Sequence, residues 1–425
     1  MVIHIVKRGD TIWELSRKYG VSMQRIMNDN AISNPRNLVI GQALVILLPS
    51  ITYTVVRGDT IYSIAKKFEI TQLELIQNNP ELIENTTIFP GQVLIIQFRS
   101  AKRREIVTNG YAYPHVRQNI LASALPYLTH LTVFGYGFTD AGELIPINDQ
   151  PLIDLAYKYK VAPVMLLSSI TPDGNFDSEH ASRMFNDTEL QDKLLDNIIA
   201  TMHKKGYLGL DSDFEFISPD DADAYVAFLK NAATQLHEHG FFLNTSLVPK
   251  THADQPGLIY EGHDYPAIGK VSDTVFLMTY EWGYAFSPPM AVAPLNHVRT
   301  VVKYAVREIP PQKIMLGIPN YGYDWLLPFE KGTRATNISN EYAITLAARY
   351  GAEIMFDETA QSPHFNYWNS GQQHKVWFED VRSVLKKLEL ADEFSLRGVG
   401  YWSLMYPFTQ NWALLNALYH IRKVA

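Results

Sequence analysis

Cysteine is absent from the 425 residues, which removes disulfides, thiol nucleophiles and thiolate metal sites together. No apolar run approaches the roughly 18 residues needed to cross a bilayer. The opening stretch MVIHIVKRGDTIWEL lacks a continuous apolar region followed by a small-residue cleavage site. The expectation is a protein with no membrane span and no ordinary secretory signal. Basic residues are also outnumbered: 37 Lys and Arg face 44 Asp and Glu, and the net charge of −7 argues against nucleic acid as a partner. What remains is ordinary for a globular chain, 47% hydrophobic and 19% charged, and long enough for a large domain with accessories. Aromatics are the informative surplus. The 24 Tyr, 20 Phe and 7 Trp supply flat faces suited to stacking on rings, though most must serve as core.

The first hundred residues repeat. HIVKRGDTIWELSRKYGVSMQRIMNDNAISNPRNLVIGQALVI aligns with YTVVRGDTIYSIAKKFEITQLELIQNNPELIENTTIFPGQVLI. Gly9, Asp10 and Thr11 match Gly58, Asp59 and Thr60; Asn30 matches Asn79; Gly41-Gln42 matches Gly91-Gln92. Each copy reads strand, helix, helix, strand, with Asp or Thr placed to cap the first helix. These copies resemble lysin-motif (LysM) modules, which bind glycans containing N-acetylglucosamine, such as peptidoglycan and chitin. The resemblance implies glycan-binding roles for Gly9, Asp10, Thr11, Asn30, Gly58, Asp59, Thr60 and Asn79. The boundaries expected are 1–49 and 50–98, with the charged RSAKRRE stretch supplying a linker at 99–105.

From 106 to 425 apolar strands alternate with helical patterns. Candidate strands are 106–111, 130–138, 161–169, 207–215, 241–249, 273–280, 313–322 and 397–405. Helical segments such as ELQDKLLDNIIATMHKKG and DADAYVAFLKNAATQLHEHG end at a glycine, as helices often do. Eight near-continuous apolar strands, each followed by a helix, predict an α/β fold, a (β/α)8 TIM barrel. The long gap before the last strand predicts a small α+β insertion over one rim.

Strand 4 carries an energetic oddity. YLGLDSDFEF sets Asp211, Asp213 and Glu215 at alternate positions within an apolar run. Alternation points all three to one face, into the barrel, with Ser212 and Phe214 on the other. Glu215 comes last, at the end where barrel active sites are built. Like-charge repulsion and desolvation should leave at least one acid protonated at neutral pH. A protonated carboxyl backed by ionised neighbours is what glycosidic cleavage requires of its general acid. Three acids on one strand cannot surround a metal ion, and no His lies close in sequence. A purely structural acidic strand does not explain why the acids climb towards the rim.

The stretch LGLDSDFE resembles the D-x-x-D-x-D-x-E signature of family-18 glycoside hydrolases, the chitinase-like barrels. MTYEW after strand 6 is similar to the family's M-x-Y-D, and the YW of strand 8 matches its pocket-floor tryptophan. The resemblance implies catalytic roles for Glu215, Asp213, Asp211 and Tyr280. It implies substrate contact for Trp402, Met278, Glu281, Trp282, Asn244 and Tyr111, and needs neither cofactor nor metal. The implied chemistry is substrate-assisted: Glu215 protonates the glycosidic oxygen, the sugar's own acetamido group attacks, and net configuration is retained. Two positions depart from the pattern. Leu208 stands where the signature has its first Asp, and Glu281 is one methylene longer than the Asp of M-x-Y-D.

Tandem LysM modules ahead of such a barrel resemble the spore cortex-fragment-lytic N-acetylglucosaminidases of bacilli. That layout implies peptidoglycan as partner, a spore-associated location, and modules that raise local concentration on an insoluble glycan. A chitinase, an endoglycosidase acting on other N-acetylglucosamine glycans, or a non-hydrolytic lectin are the alternatives. The presence of Glu215, Asp213 and Tyr280 favours an enzyme.

Overall fold

The computed structural model describes residues 1–424. Its centre is a closed ring of eight parallel strands, numbered here as barrel strands 1 to 8. They are Arg104–Ala112, His130–Tyr136, Ala162–Leu167, Gly209–Ser212, Phe242–Leu247, Thr274–Leu277, Ile314–Pro319 and Gly398–Trp402. Strand 8 pairs with strand 1 from Gly398↔Val107 to Tyr401↔Gly110, which closes the ring. Strands buried on both faces need apolar residues throughout, and this is why the eight runs stood out in the sequence.

Three features differ from expectation. Strand 4 stops at Ser212, short of Glu215, because its neighbour strand 3 stops at Leu167. One more ladder bond, from Asp213 N to Leu167 O, is made before the chain leaves the sheet. Arg104 and Glu105, expected in the linker, already belong to strand 1, and Arg103 and Arg104 both hold Asp392, at 3.0 and 2.8 Å. A short strand, Tyr419–Ile421, runs parallel to Arg104–Ile106 outside the ring; three residues carry too little pattern to be read from sequence.

The insertion between strands 7 and 8 is a five-stranded antiparallel sheet with one helix, Asn340–Tyr350. Its strand Gln372–Trp377 divides two environments, as strand alternation requires. Trp377 joins Tyr321, Tyr323 and Trp325 in a cluster that reaches Tyr280 and Trp402, while Val376 packs on the opposite face with Leu346 and Phe365.

Both N-terminal repeats fold as strand, helix, helix, strand. The first comprises Val2–Ile5, Ile12–Tyr19, Met23–Asp29 and Ala43–Ile46. The second comprises Pro49–Thr54, Ile61–Lys67, Gln72–Asn78 and Val93–Phe98. Neither hangs from a tether: Ala43, Val45 and Leu47 of the first and Ile83, Ile95 and Phe98 of the second are continuous with the barrel's hydrophobic core.

Candidate active site

A cavity of about 250 Å³ opens at the C-terminal ends of the barrel strands, lined by Asp213, Glu215, Tyr280 and Trp402 among others. Asp211 lies beneath, fully buried. It accepts hydrogen bonds from Tyr111 Oη at 2.7 Å and from Ser246 Oγ at 3.2 Å. Burial lifts its pKa to about 6, against the opposing pull of those hydrogen bonds. Asp213, one layer up, has a pKa raised well above the usual range, first by burial, then by the charge of Glu215 and then by that of Asp211. Its Oδ1 has no hydrogen-bond partner. Glu215 stands beyond the strand at the cavity mouth, open to solvent on one side, with a pKa raised by the desolvating walls. Phe214, between them, points away into an aromatic cluster with Phe185 and Tyr225. The alternation therefore persists past the end of the strand.

Tyr111 and Ser246 engage both oxygens of Asp211, and of the three acids Asp213 and Glu215 line the cavity. Leu208 precedes strand 4, half-buried, and takes part in hydrogen bonding through its backbone, with its N donating to Pro163 O.

The other expected residues divide into two groups. Met278, Tyr280, Glu281, Trp282 and Trp402 line the cavity, and Tyr111 reaches it from beside Asp211. Trp402 is fixed from below by edge contacts with Tyr111, Tyr113 and Phe134, at centroid distances of 5.8, 5.9 and 5.3 Å. Asn244 is a correction: it sits level with Asp211 on the neighbouring strand, within the barrel, where its Oδ1 accepts from Thr274 Oγ1 at 2.7 Å. It belongs to the support under the site and not to the cavity. Glu281 adopts a left-handed φ of 67° and is held by the hydroxyls of Tyr321 and Tyr323. Its pKa is raised by burial, and those two donors oppose the rise. Ser246, Tyr321 and Tyr323 were not anticipated; a lone Ser in FFLNTSLVP and two Tyr in NYGYDW carry no local signal.

In the repeats, the residues expected to contact glycan also carry structural roles. Thr11 and Thr60 cap their helices by accepting from Glu14 N and Ser63 N. Asp10 and Asp59 accept from Lys7 N and Val56 N at 2.7 and 2.8 Å, tightening turns in which Gly9 and Gly58 have positive φ. Asn30 and Asn79 are buried; each donates to a helix carbonyl and a strand carbonyl and accepts one strand N–H. An amide so buried and so engaged clamps helix to strand. Exposed aromatics remain beside these turns, notably Trp13 under Arg17 and Tyr62 under Lys66.

Comparison with known proteins agrees with this geometry. Residues 108–406 match the model for glycosyl hydrolases family 18, and residues 4–47 and 53–97 each match the LysM domain. The chain is 38% identical over 427 residues to the "Cortical fragment-lytic enzyme" of Bacillus anthracis, with 98% of each chain covered. It is 38% identical over 431 residues to the protein of the same name from Bacillus subtilis, covering 100% of this chain and 99% of the other. The crystal structure of the Bacillus cereus spore cortex-lytic enzyme SleL superposes with a TM-score of 0.84 at 36% identity, covering 100% of this chain and 99% of that one.

Proposed function

The chain belongs to the glycosyl hydrolases of family 18 and carries two LysM domains, and from that premise we propose that it cleaves the glycan backbone of spore cortex peptidoglycan, or fragments of it, after N-acetylglucosamine. The observation that carries this reading is the pairing of Asp213, whose Oδ1 is unpartnered, with Glu215 and Tyr280 in one cavity. Full-length similarity to cortical fragment-lytic enzymes supports the choice of substrate.

Glu215, whose pKa is raised by desolvation, gives its proton to the glycosidic oxygen. As that C–O bond breaks, the carbonyl oxygen of the sugar's 2-acetamido group bonds to the anomeric carbon and forms an oxazolinium ion. The Asp213 carboxyl accepts the acetamido N–H, and Tyr280, whose hydroxyl is kept protonated by burial and the neighbouring acids, donates to the acetamido oxygen. Water then attacks the anomeric carbon with Glu215, now ionised, as base, and the configuration is retained. Trp402 offers its face to the apolar side of the ring. The protein would act at the spore, during germination, with peptidoglycan as its partner.

Mass spectrometry of products tests the reading. Digestion of cortex peptidoglycan should yield new reducing ends on N-acetylglucosamine, and chitin oligomers should be turned over far less. Glu215→Gln should retain glycan binding while turnover falls by roughly 10²–10⁴. Hydrolysis by that variant at the wild-type rate would sink the assignment, and efficient chitin cleavage would move the substrate class.

A further inference from the structure

The main chain that carries Glu215 makes few hydrogen bonds. After Asp213 N bonds to Leu167 O the ladder ends, and regular hydrogen bonding resumes with Asp221 N to Ser218 O. Over residues 214–217, among the described residues, one side chain hydrogen-bonds to the main chain: His263, whose Nε2 lies 3.2 Å from Glu215 O. That atom faces a carbonyl, so it must carry the proton and donate. The ring is fully buried, and its Nδ1 has no partner. Burial drives the pKa of His263 down to about 4, so the ring stays neutral in this tautomer across the working range.

His263 is itself clamped. Its carbonyl accepts from the buried Nζ of Lys250 at 3.0 Å. Lys250 N bonds to Tyr265 Oη, which in turn donates to Val248 O. Gly262, next in chain, packs so closely on Ile217 O that no side chain could stand there. The segment from Val248 to Tyr265 thus grips the 214–217 segment at both Glu215 and Ile217, and Val248 and Tyr260 from the same segment line the cavity.

We propose that His263 is a positioning residue for the general acid: its Nε2–H fixes the Glu215 main chain and so aims the carboxyl at the glycosidic oxygen. The proposal rests on Glu215 being the acid, as argued above. A backbone free to rotate would misplace the carboxyl by the order of 1 Å, and such an error costs roughly 100-fold in rate. The donor is exerted on the backbone and not on the substrate, so the loss falls on kcat and leaves KM nearly untouched.

The test compares three variants on a soluble glycan fragment. His263→Leu fills the space without a donor, His263→Gln carries an amide N–H to about the same place, and His263→Asn falls short of it. We expect His263→Leu and His263→Asn to lose roughly 10- to 100-fold in kcat with KM within about 2-fold, and His263→Gln to recover most of the rate. If His263→Leu fails to fold, as judged by circular dichroism, the Gln and Asn pair decides alone. Wild-type kcat in His263→Asn, or equal impairment in His263→Gln and His263→Asn, would overturn the proposal. An active wild type with inactive Glu215→Gln and unimpaired His263 variants would overturn this inference while leaving the proposed function standing. A wild type inert on every N-acetylhexosamine glycan would overturn both.

Discussion

The two N-terminal repeats share one template and touch each other, Arg25 of the first donating to Asn78 O of the second at 2.7 Å, but they dock on different parts of the barrel. Helices Val381–Glu393 and Thr409–Leu418 both begin at the C-terminal rim, since barrel helices run antiparallel to their strands. The first repeat bonds to those beginnings: Arg382 donates to Gly41 O, and Gln410 to Asn30 Oδ1 and Ala43 O. It also touches the insertion, through Ile354 N to Ile40 O and through Val39, which is part of the insertion's core. The second repeat bonds to helix ends at the other rim: Gln77 to Pro126 and Tyr127, Asn78 to Asn416, and Ile83 O to Tyr159. One module therefore braces the wall whose far face holds Glu281, and the other braces the ends of barrel helices away from that wall. A repeated sequence has acquired two jobs because its two copies meet different surfaces.

The sharpest way to break this contrast is a charge at one matched turn position. Val39 in the first repeat and Phe89 in the second align, yet Val39 is buried in the insertion's core while Phe89 is 63% exposed. Val39→Asp places an unpaired carboxylate among Ile354, Phe365 and Val376, and should cost roughly 3–5 kcal/mol. Phe89→Asp should stay within about 0.5 kcal/mol. Chemical denaturation of both variants checks the difference; equal losses would mean that the first repeat does not brace the insertion.

A matched pair of glycines gives the next effect. Gly41 and Gly91 take the same left-handed turn, at φ of 84° and 90°. A methyl group on Gly91 meets open space, whereas on Gly41 it would overlap the carbonyl of Ile354. Gly91→Ala should cost only the conformational penalty, roughly 1–2 kcal/mol. Gly41→Ala adds an overpacking penalty of about 1–3 kcal/mol, part of it felt as movement of the insertion. Thermal unfolding measures the first quantity, and the KM for soluble fragments reports whether the Glu281 wall has shifted.

The barrel and the modules were legible because both write their pattern locally. Eight apolar runs and a doubled GDT turn need no knowledge of distant contacts, and Asp213 and Glu215 announced themselves by alternation. What escaped was made by long-range contact. Ser246, Tyr321, Tyr323 and His263 act from strands or loops tens of residues away from the groups they hold, and each is unremarkable among its neighbours. Asn244 was misplaced for the related reason that height along a barrel strand depends on register with adjacent strands. The clamping role of Asn30 and Asn79 was not legible, because a polar residue recurring in a module looks the same in sequence whether it faces sugar or backbone. The docked state of both repeats was invisible for the same reason.

One aligned pair differs in charge alone and yields the smallest effect. Asp29 of the first repeat corresponds to Asn78 of the second, and both sit where repeats and barrel converge, Asn78 bonding to Arg25 and Asn416. Asp29 is buried, accepts from Arg25 Nε at 2.7 Å and leaves Oδ1 unpartnered. Burial raises its pKa to about 6, outweighing Arg25, with Glu81 of the second repeat adding to the rise. The unfolded chain titrates this group near 4. Between those values the folded protein holds a proton that the unfolded chain has lost, so stability from this group is fully present below about pH 4 and fades as pH climbs through about 6. The gap of two units sets a ceiling of about 2–3 kcal/mol, and ionic relaxation around Arg25 will reduce what is measured to roughly 1–2 kcal/mol. Asp29→Asn converts the site to the second repeat's amide and removes that slope. Unfolding free energies of the two proteins, taken from pH 4 to pH 7, should therefore differ by an amount that changes across this window, since every other titrating group is common to both. A difference constant with pH would place the proton elsewhere and leave the two junctions electrostatically alike.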